Sequence, residues 1–347
     1  MKRITAVLVS MLLALAGCSG SGREEQGASP APAFEALNET VDGRPDLYLI
    51  VKNLDSSYWK VMIDGARDGG AAFGCNVYCS GTYVETDWEE QRRLLDEAVA
   101  AGADAVLLAP DDSVMLSEKI EEVYGKGVPV VLLDTMANTD SYDVCYMTDN
   151  LMAGQQAAKE MISQLRKSGV SDSDAIQIGL QLGAAASQTI SERLAGFFKY
   201  WSKNAPQSWK IIPDIKCNDG YLDKAVECAE EFLEYPDLRG VFGTNNSSTR
   251  GFARVVREHA RKDIVVVGFD YSEDIAALIN DGGYAASTIL QRQYYMSYTG
   301  VETARKLIDG ESVPEKFVDM GVIVVNEETI NQAEVQEVLS YNGADGL

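Results

Sequence analysis

Ten side chains stand out by type and placing: Ser56, Tyr58, Trp59, Asp134, Thr135, Ser191, Arg193, Asn245, Asp270 and Gln291. They belong to a wider set at the ends of short apolar runs, made up of 55–59, 134–135, 188–193, Asn245-Asn246, Asp270 and Gln291. Carboxylates and amides hold hydroxyl groups through paired hydrogen bonds, and aromatic faces cover the apolar C–H faces of a sugar ring. Amides and hydroxyls outnumber arginines in the set, which suits a neutral polyol better than an ion. The competing reading is local: Asp and Asn after a strand cap the next helix or make Asx-turns, and Tyr58 and Trp59 pack on a neighbouring loop. Asp134 and Asp270 resist that reading best, because they recur at equivalent places in two halves of the chain.

Catalytic alternatives are thin. The single histidine, His259, falls in a predicted surface helix over 250–261, and no GxSxG, Walker A, strand-borne GxGxxG or HExxH sequence occurs. Asp134 and Asp270 as a carboxylate pair for glycoside hydrolysis remain the enzymatic alternative. No CxxC pair accompanies the lone histidine, so neither a metal nor a cofactor is expected. Besides Cys18 there are Cys75, Cys79, Cys145, Cys217 and Cys228, an odd number that leaves at least one unpaired. Cys75 and Cys79 flank one predicted strand and stand about 13 Å apart, too far for a disulfide. All five read as small core residues.

The elements that position the polar set alternate regularly. Strands are predicted at 47–51, 76–79, 105–109, 128–133, 175–180, 210–215, 240–242 and 264–267. Helices are predicted at 58–73, 88–101, 114–124, 190–201, 222–234 and 249–258. This is the βαβ signal of parallel sheets. The halves also repeat in detail. Residues 103–113 precede a helix and then a strand ending at Asp134, and residues 237–247 precede a helix and then a strand ending at Asp270. The reading is a duplicated α/β protein, two doubly wound, Rossmann-like domains. Ligands of such sheets sit beyond the carboxyl ends of the strands, where the polar set lies.

Ahead of this body, Met1-Lys2-Arg3 and the uncharged stretch 4–16 form a signal-peptide pattern, too short to span a bilayer as a helix, which needs about 20 residues. Leu15-Ala16-Gly17-Cys18 resembles the bacterial lipobox, which implies cleavage after residue 17 and lipidation, palmitate included, of Cys18. Ser19 is not the Asp that marks inner-membrane retention in two-membrane bacteria. Residues 18–45 read as a flexible Gly/Ser/Pro-rich tether. Losing Lys2 and Arg3 leaves 28 basic against 53 acidic residues, a net charge near −25. So acidic a chain excludes nucleic acid and anionic lipid surfaces as partners.

In order and spacing, seven segments make the body similar to the ribose-type branch of the type I periplasmic binding proteins, whose fold LacI-type repressors share. They are Asn53-Leu-Asp-Ser-Ser-Tyr-Trp59, Gly127-Val-Pro-Val-Val-Leu-Leu-Asp134, Thr148-Asp-Asn150, Ser191-Glu-Arg-Leu-Ala-Gly-Phe197, Val241-Phe-Gly-Thr-Asn-Asn246, Val265-Val-Val-Gly-Phe-Asp270 and Ile289-Leu-Gln291. The resemblance implies a three-strand hinge near 148–150, 291–292 and 320–321. It divides the chain into 46–149 plus 292–320 and 150–291 plus 321–340, with a helix at 298–308 returned to the first part. It makes Asp134, Asn245, Asp270 and Gln291 hydroxyl-binding positions and Tyr58 a ring-stacking one. Departures are Ser56 for Asn or Asp, Thr135 for Arg, Ser191 for Arg with Arg193 two residues on, and Gly220 for an aromatic beside Tyr221. Those losses point away from ribose itself, toward a larger or differently substituted ligand. The resemblance further implies a monomeric, lipid-anchored carrier outside the cell membrane that delivers a small sugar-like molecule to an ABC permease, or else a sensor feeding a chemoreceptor or kinase. The export signal, the acidic charge and the missing helix-turn-helix exclude a repressor.

Overall fold

Runs such as Leu47–Val51 and Val130–Leu133 are apolar at every position, so neither face of the sheet they form can meet water, and helices must cover both. In the computed structural model, which describes residues 34–185 and 187–341, this produces two seven-stranded sheets, each clad in helices on both faces.

In chain order the first part comprises β1 (Glu35–Ala36), β2 (Asp46–Val51), α1 (Ser57–Phe73), β3 (Asn76–Gly81), α2 (Trp88–Ala100), β4 (Ala105–Leu108), α3 (Ser117–Gly125), β5 (Val130–Leu133) and β6 (Val144–Met147). The second comprises α4 (Asn150–Lys167), β7 (Ile176–Leu182), α5 (Gln188–Asn204), β8 (Trp209–Ile211), β9 (Lys216–Cys217), α6 (Leu222–Phe232), β10 (Leu238–Gly243), α7 (Asn246–Glu258), β11 (Val265–Phe269), α8 (Glu273–Asp281) and β12 (Ala286–Gln291). The chain closes with α9 (Gln293–Ile308), β13 (Phe317–Asp319), β14 (Val322–Asn326) and α10 (Ala333–Ser340).

The first sheet runs β1-β3-β2-β4-β5-β6-β13; the second runs β14-β12-β11-β10-β7-β8, with β9 also on β7. All pairings are parallel except β1 on β3 and β12 on β14. The chain passes between the sheets three times: after β6, after β12, when α9 packs on the first sheet, and between β13 and β14. The second sheet's cores gather α4 and α5 on one face and α6, α7, α8 and α10 on the other.

Several elements differ from the sequence expectation for identifiable reasons. Residues 34–45 are not tether. Phe34 packs edge-on against Tyr48 at 4.8 Å, β1 pairs with β3, and Asn38 donates to Cys75 O at 2.8 Å and accepts from Val77 N at 3.0 Å. Cys18, the signal segment and residues up to 33 lie outside the described residues. The strand predicted at 210–215 ends early, at Ile211 in β8, because Pro213 has no N–H for the ladder, and pairing resumes only at Lys216 in β9. The helix predicted from 114 starts at Ser117, since the Asp112 carboxylate accepts from Val114 N and Met115 N and holds that stretch in a turn. Four of the five cysteines are buried and all five are free thiols; Cys217, in β9, is only half-buried. Burial pushes the Cys79 thiol up to about 12, which leaves it unreactive. His259 lies at the exposed end of α7, with Nε2 3.0 Å from Glu230.

One helix contact matters for the site. α4 and α5 touch backbone to backbone through Gly154 and Gly196: a Cβ on Gly154 would lie 2.0 Å from Arg193 O, and one on Gly196 2.1 Å from Leu151 O. Only glycine permits that approach, and it fixes Arg193 relative to Asn150 at the start of α4.

Candidate functional site

Equivalent strands of the two sheets, β5 and β11, end in Asp134 and Asp270, and both aspartates adopt left-handed backbone angles, φ 63° and 68°. The backbone N–H of each reaches across to the next strand, Asp134 to Tyr146 O at 2.9 Å and Asp270 to Ile289 O at 3.0 Å. A non-glycine residue in this region is strained, and such strain concentrates where a side chain must be aimed. Neither aspartate caps a helix, since α8 starts after Ser272. Asn245 does cap one: its Oδ1 accepts from Ser248 N at 3.2 Å at the start of α7.

The two aspartates face one tight cavity, in which the centre of a water-sized sphere has about 30 Å³ to move. The first sheet and its loops contribute Lys52, Tyr58, Trp59, Glu85 and Asp134. Ser187, Thr189, Ile190 and Arg193 come from around the start of α5, and Asn245, Asn246, Asp270 and Gln291 complete the wall.

Its polar groups form two networks. On the first-sheet side Asp134 accepts from Tyr58 Oη at 2.6 Å through Oδ1, and from Lys52 Nζ at 3.2 Å and Thr135 Oγ1 at 2.7 Å through Oδ2. Lys52 also donates to Thr135 Oγ1 at 2.6 Å, and Trp59 Nε1 donates to Glu85 Oε1 at 2.9 Å. On the other side Arg193 donates to Asn150 Oδ1, Thr244 O and Gln291 Oε1, each at 2.8 Å, and its guanidinium lies 4.0 Å from the centre of the Phe269 ring. Gln291 also accepts from Thr148 Oγ1 at 3.0 Å and passes the chain to Asp270 by donating from Nε2 at 2.8 Å. Gln291 and Thr148 stand at two of the three crossings, so this network ties the hinge to the cavity. The buried Asn246 Nδ2 has no partner.

Burial and neighbours set the charges apart. Burial pushes the Asp270 carboxyl up to about 7, against the pull of Arg193 and the Gln291 hydrogen bond. Burial likewise raises Glu85. Asp134 feels the same burial, but Lys52, Arg193 and the Tyr58 and Thr135 hydrogen bonds outweigh it and hold the carboxyl below its ordinary value. Burial, then the charges of Asp134 and Asp270, raise Tyr58 well above 10, so its hydroxyl stays a donor. Two cations thus face Asp134, held ionised, and two carboxyls, Asp270 and Glu85, that burial shifts toward the neutral form. The cavity is near neutrality and rich in both donors and acceptors.

Seven of the ten residues singled out in the sequence line this cavity: Tyr58, Trp59, Asp134, Arg193, Asn245, Asp270 and Gln291. The other three do not. Thr135 is fully buried behind the wall, between Lys52 and Asp134. Ser56 precedes α1 and lines a neighbouring outer cavity instead. Ser191 is exposed on α5; at about 100° per residue it points some 200° away from Arg193. Sequence reasoning missed Lys52 and Glu85. Lys52 directly follows β2, so the strand-end rule covered it, whereas nothing marked the 82–87 loop as turned inward. Thr189, Ile190 and Asn246 stood inside the strand-end segments, and Ser187 just outside.

Known proteins resemble this chain along most of its length. Along 93% of this chain and 97% of its own length, the D-ribose/D-allose-binding protein of Pseudomonas aeruginosa is 26% identical. The ribose import binding protein RbsB of Bacillus subtilis is 25% identical over 90% of this chain and 95% of its own. Among solved structures, an ABC transporter solute binding protein from Agrobacterium vitis with bound D-fucose matches with TM-score 0.76 and 29% identity, over 84% of this chain and 98% of that one. A carbohydrate transporter solute binding protein from Agrobacterium radiobacter, in complex with D-arabinose, shares the fold with TM-score 0.81 at 24% identity, over 86% and 99% of the two chains. The family model described as periplasmic binding protein domain matches residues 47–312, and the chain belongs to that family.

Proposed function

We propose that this protein is an extracytoplasmic solute-binding protein of an ABC importer, which holds a sugar or sugar-like polyol reversibly and without chemistry. One observation carries the reading: strained aspartates at equivalent strand ends of two sheets face a single small, nearly neutral cavity of mixed donors and acceptors. A neutral polyol satisfies such a wall without leaving a buried charge unpaired. The sugars and import roles in the names of the relatives point the same way.

The lobes, 34–149 with 292–320 and 150–291 with 321–340, close on the ligand by bending at the three crossings, and the closed form docks on the permease. Cys18 is the lipid anchor that keeps the monomeric carrier beside its membrane. Hydrolysis is disfavoured by the state of Asp134: three protein donors already occupy its two oxygens, so it is not free to attack a sugar carbon. Isothermal titration against pentoses, hexoses, furanose-forming sugars and polyols tests the reading. Saturable one-to-one binding supports it; failure of the whole panel, with a nonsugar bound instead, overturns it.

A further inference from the structure

Beside the inner cavity lies a second, roomier one, with about 260 Å³ for the centre of a water-sized sphere, and the two share Glu85 and Asn246 in their walls. Its sides again come from both sheets: Ser56 and Tyr83 from the first, Tyr221 and Arg250 from the second. Tyr83 and Tyr221 are about half exposed, at 50% and 51%, among the largest apolar exposures on the described surface. At the junction the buried Asn246 Nδ2 is an unspent donor, and Arg250 is held by Asp274 at 2.8 Å. Exposed tyrosines opening onto a polar cavity are what the C–H face of a sugar ring, or an aromatic substituent, requires.

Building on the carbohydrate reading above, we propose that the outer cavity is a second subsite and that the ligand is a glycoside. Its terminal ring fills the inner cavity, its glycosidic bond passes Asn246, and its second ring or aglycone rests against Tyr83 and Tyr221. Gly220, in the wall of the outer cavity, brings no side chain into it.

Titration of D-glucose, D-galactose and D-arabinose, each against its methyl and 4-nitrophenyl α- and β-glycosides, and of lactose and cellobiose, tests the proposal on the intact chain. For at least one sugar, the glycoside or disaccharide binds tenfold or more tighter than the free monosaccharide. Y83A and Y221A remove that gain and leave monosaccharide affinity within twofold, with unchanged melting temperatures. Monosaccharides that bind tightly while every glycoside binds no better overturn the subsite and leave the carbohydrate reading standing. A glycoside preference untouched by both tyrosine variants also overturns the subsite. Failure of every sugar and glycoside overturns both.

Discussion

Asp270→Asn separates what the cavity does for the ligand from what it does to the fold. Burial pushes the Asp270 carboxyl up to about 7 from its ordinary 3.8, which corresponds to about 4 kcal/mol. Because the folded pKa is the higher one, the folded chain holds a proton that the unfolded chain gives up between pH 3.8 and 7. The proton-linked stability is therefore fully present below pH 3.8, declines through the window, and is gone above pH 7. Asn keeps the shape and still accepts from Gln291 Nε2, but carries no charge to bury. The variant should match the wild type near pH 4 and exceed it at pH 8 by up to roughly 4 kcal/mol. Some wild-type slope persists in the variant, because burial raises Glu85 and Asp111 in the same direction. Sugar affinity moves the other way: loss of charge-assisted hydrogen bonds, about 1.5–3 kcal/mol, weakens binding roughly 10- to 150-fold. Urea melts of ligand-free protein from pH 4 to 8, with titrations at pH 8, measure both effects. A variant less stable than wild type at pH 8, or one with unchanged affinity, would refute this role for Asp270.

Other substitutions probe the supports. Arg193→Lys keeps a cation but cannot reach Asn150, Thr244 O and Gln291 together; it should cost roughly 2–4 kcal/mol in urea melts and at least tenfold in sugar affinity. Ser191→Ala, on the outer side of α5, should change stability by less than about 0.5 kcal/mol and affinity by less than twofold; a large loss of binding would contradict that helix register. Gly154→Ala drives a methyl group to 2.0 Å from Arg193 O, so the α4–α5 contact must open, with a loss of about 3 kcal/mol or more in thermal or urea melts.

The alternation of fully apolar strands with amphipathic helices was legible from the sequence, as was the duplication that makes Asp134 and Asp270 equivalent. Both depend on local pattern. What escaped depends on contacts distant in sequence. Asn38 stitches residues 34–45 to β3 from inside a segment whose composition reads as spacer. Glu85 turns inward because Trp59, 26 residues away, supplies its donor. Ser191 was misplaced for a different reason: the family pattern aligned it with a ligand position, whereas α5 starts at Gln188 and turns that position outward, leaving Arg193 to face the cavity. Asn245 shows that the two readings of a strand-end residue need not compete, since it caps α7 while lining the cavity.

On the proposed function, a neutral carbohydrate is held intact between the two sheets. Protein purified without refolding, washed, then denatured and analysed by mass spectrometry for released small molecules tests it most directly. Up to one equivalent of a neutral sugar or glycoside, chemically unaltered, should be released, and its re-addition should raise the melting temperature of wild type more than that of Asp270→Asn. Release of a charged or noncarbohydrate molecule, or turnover of the added sugar by wild type that Asp270→Asn abolishes, would contradict it.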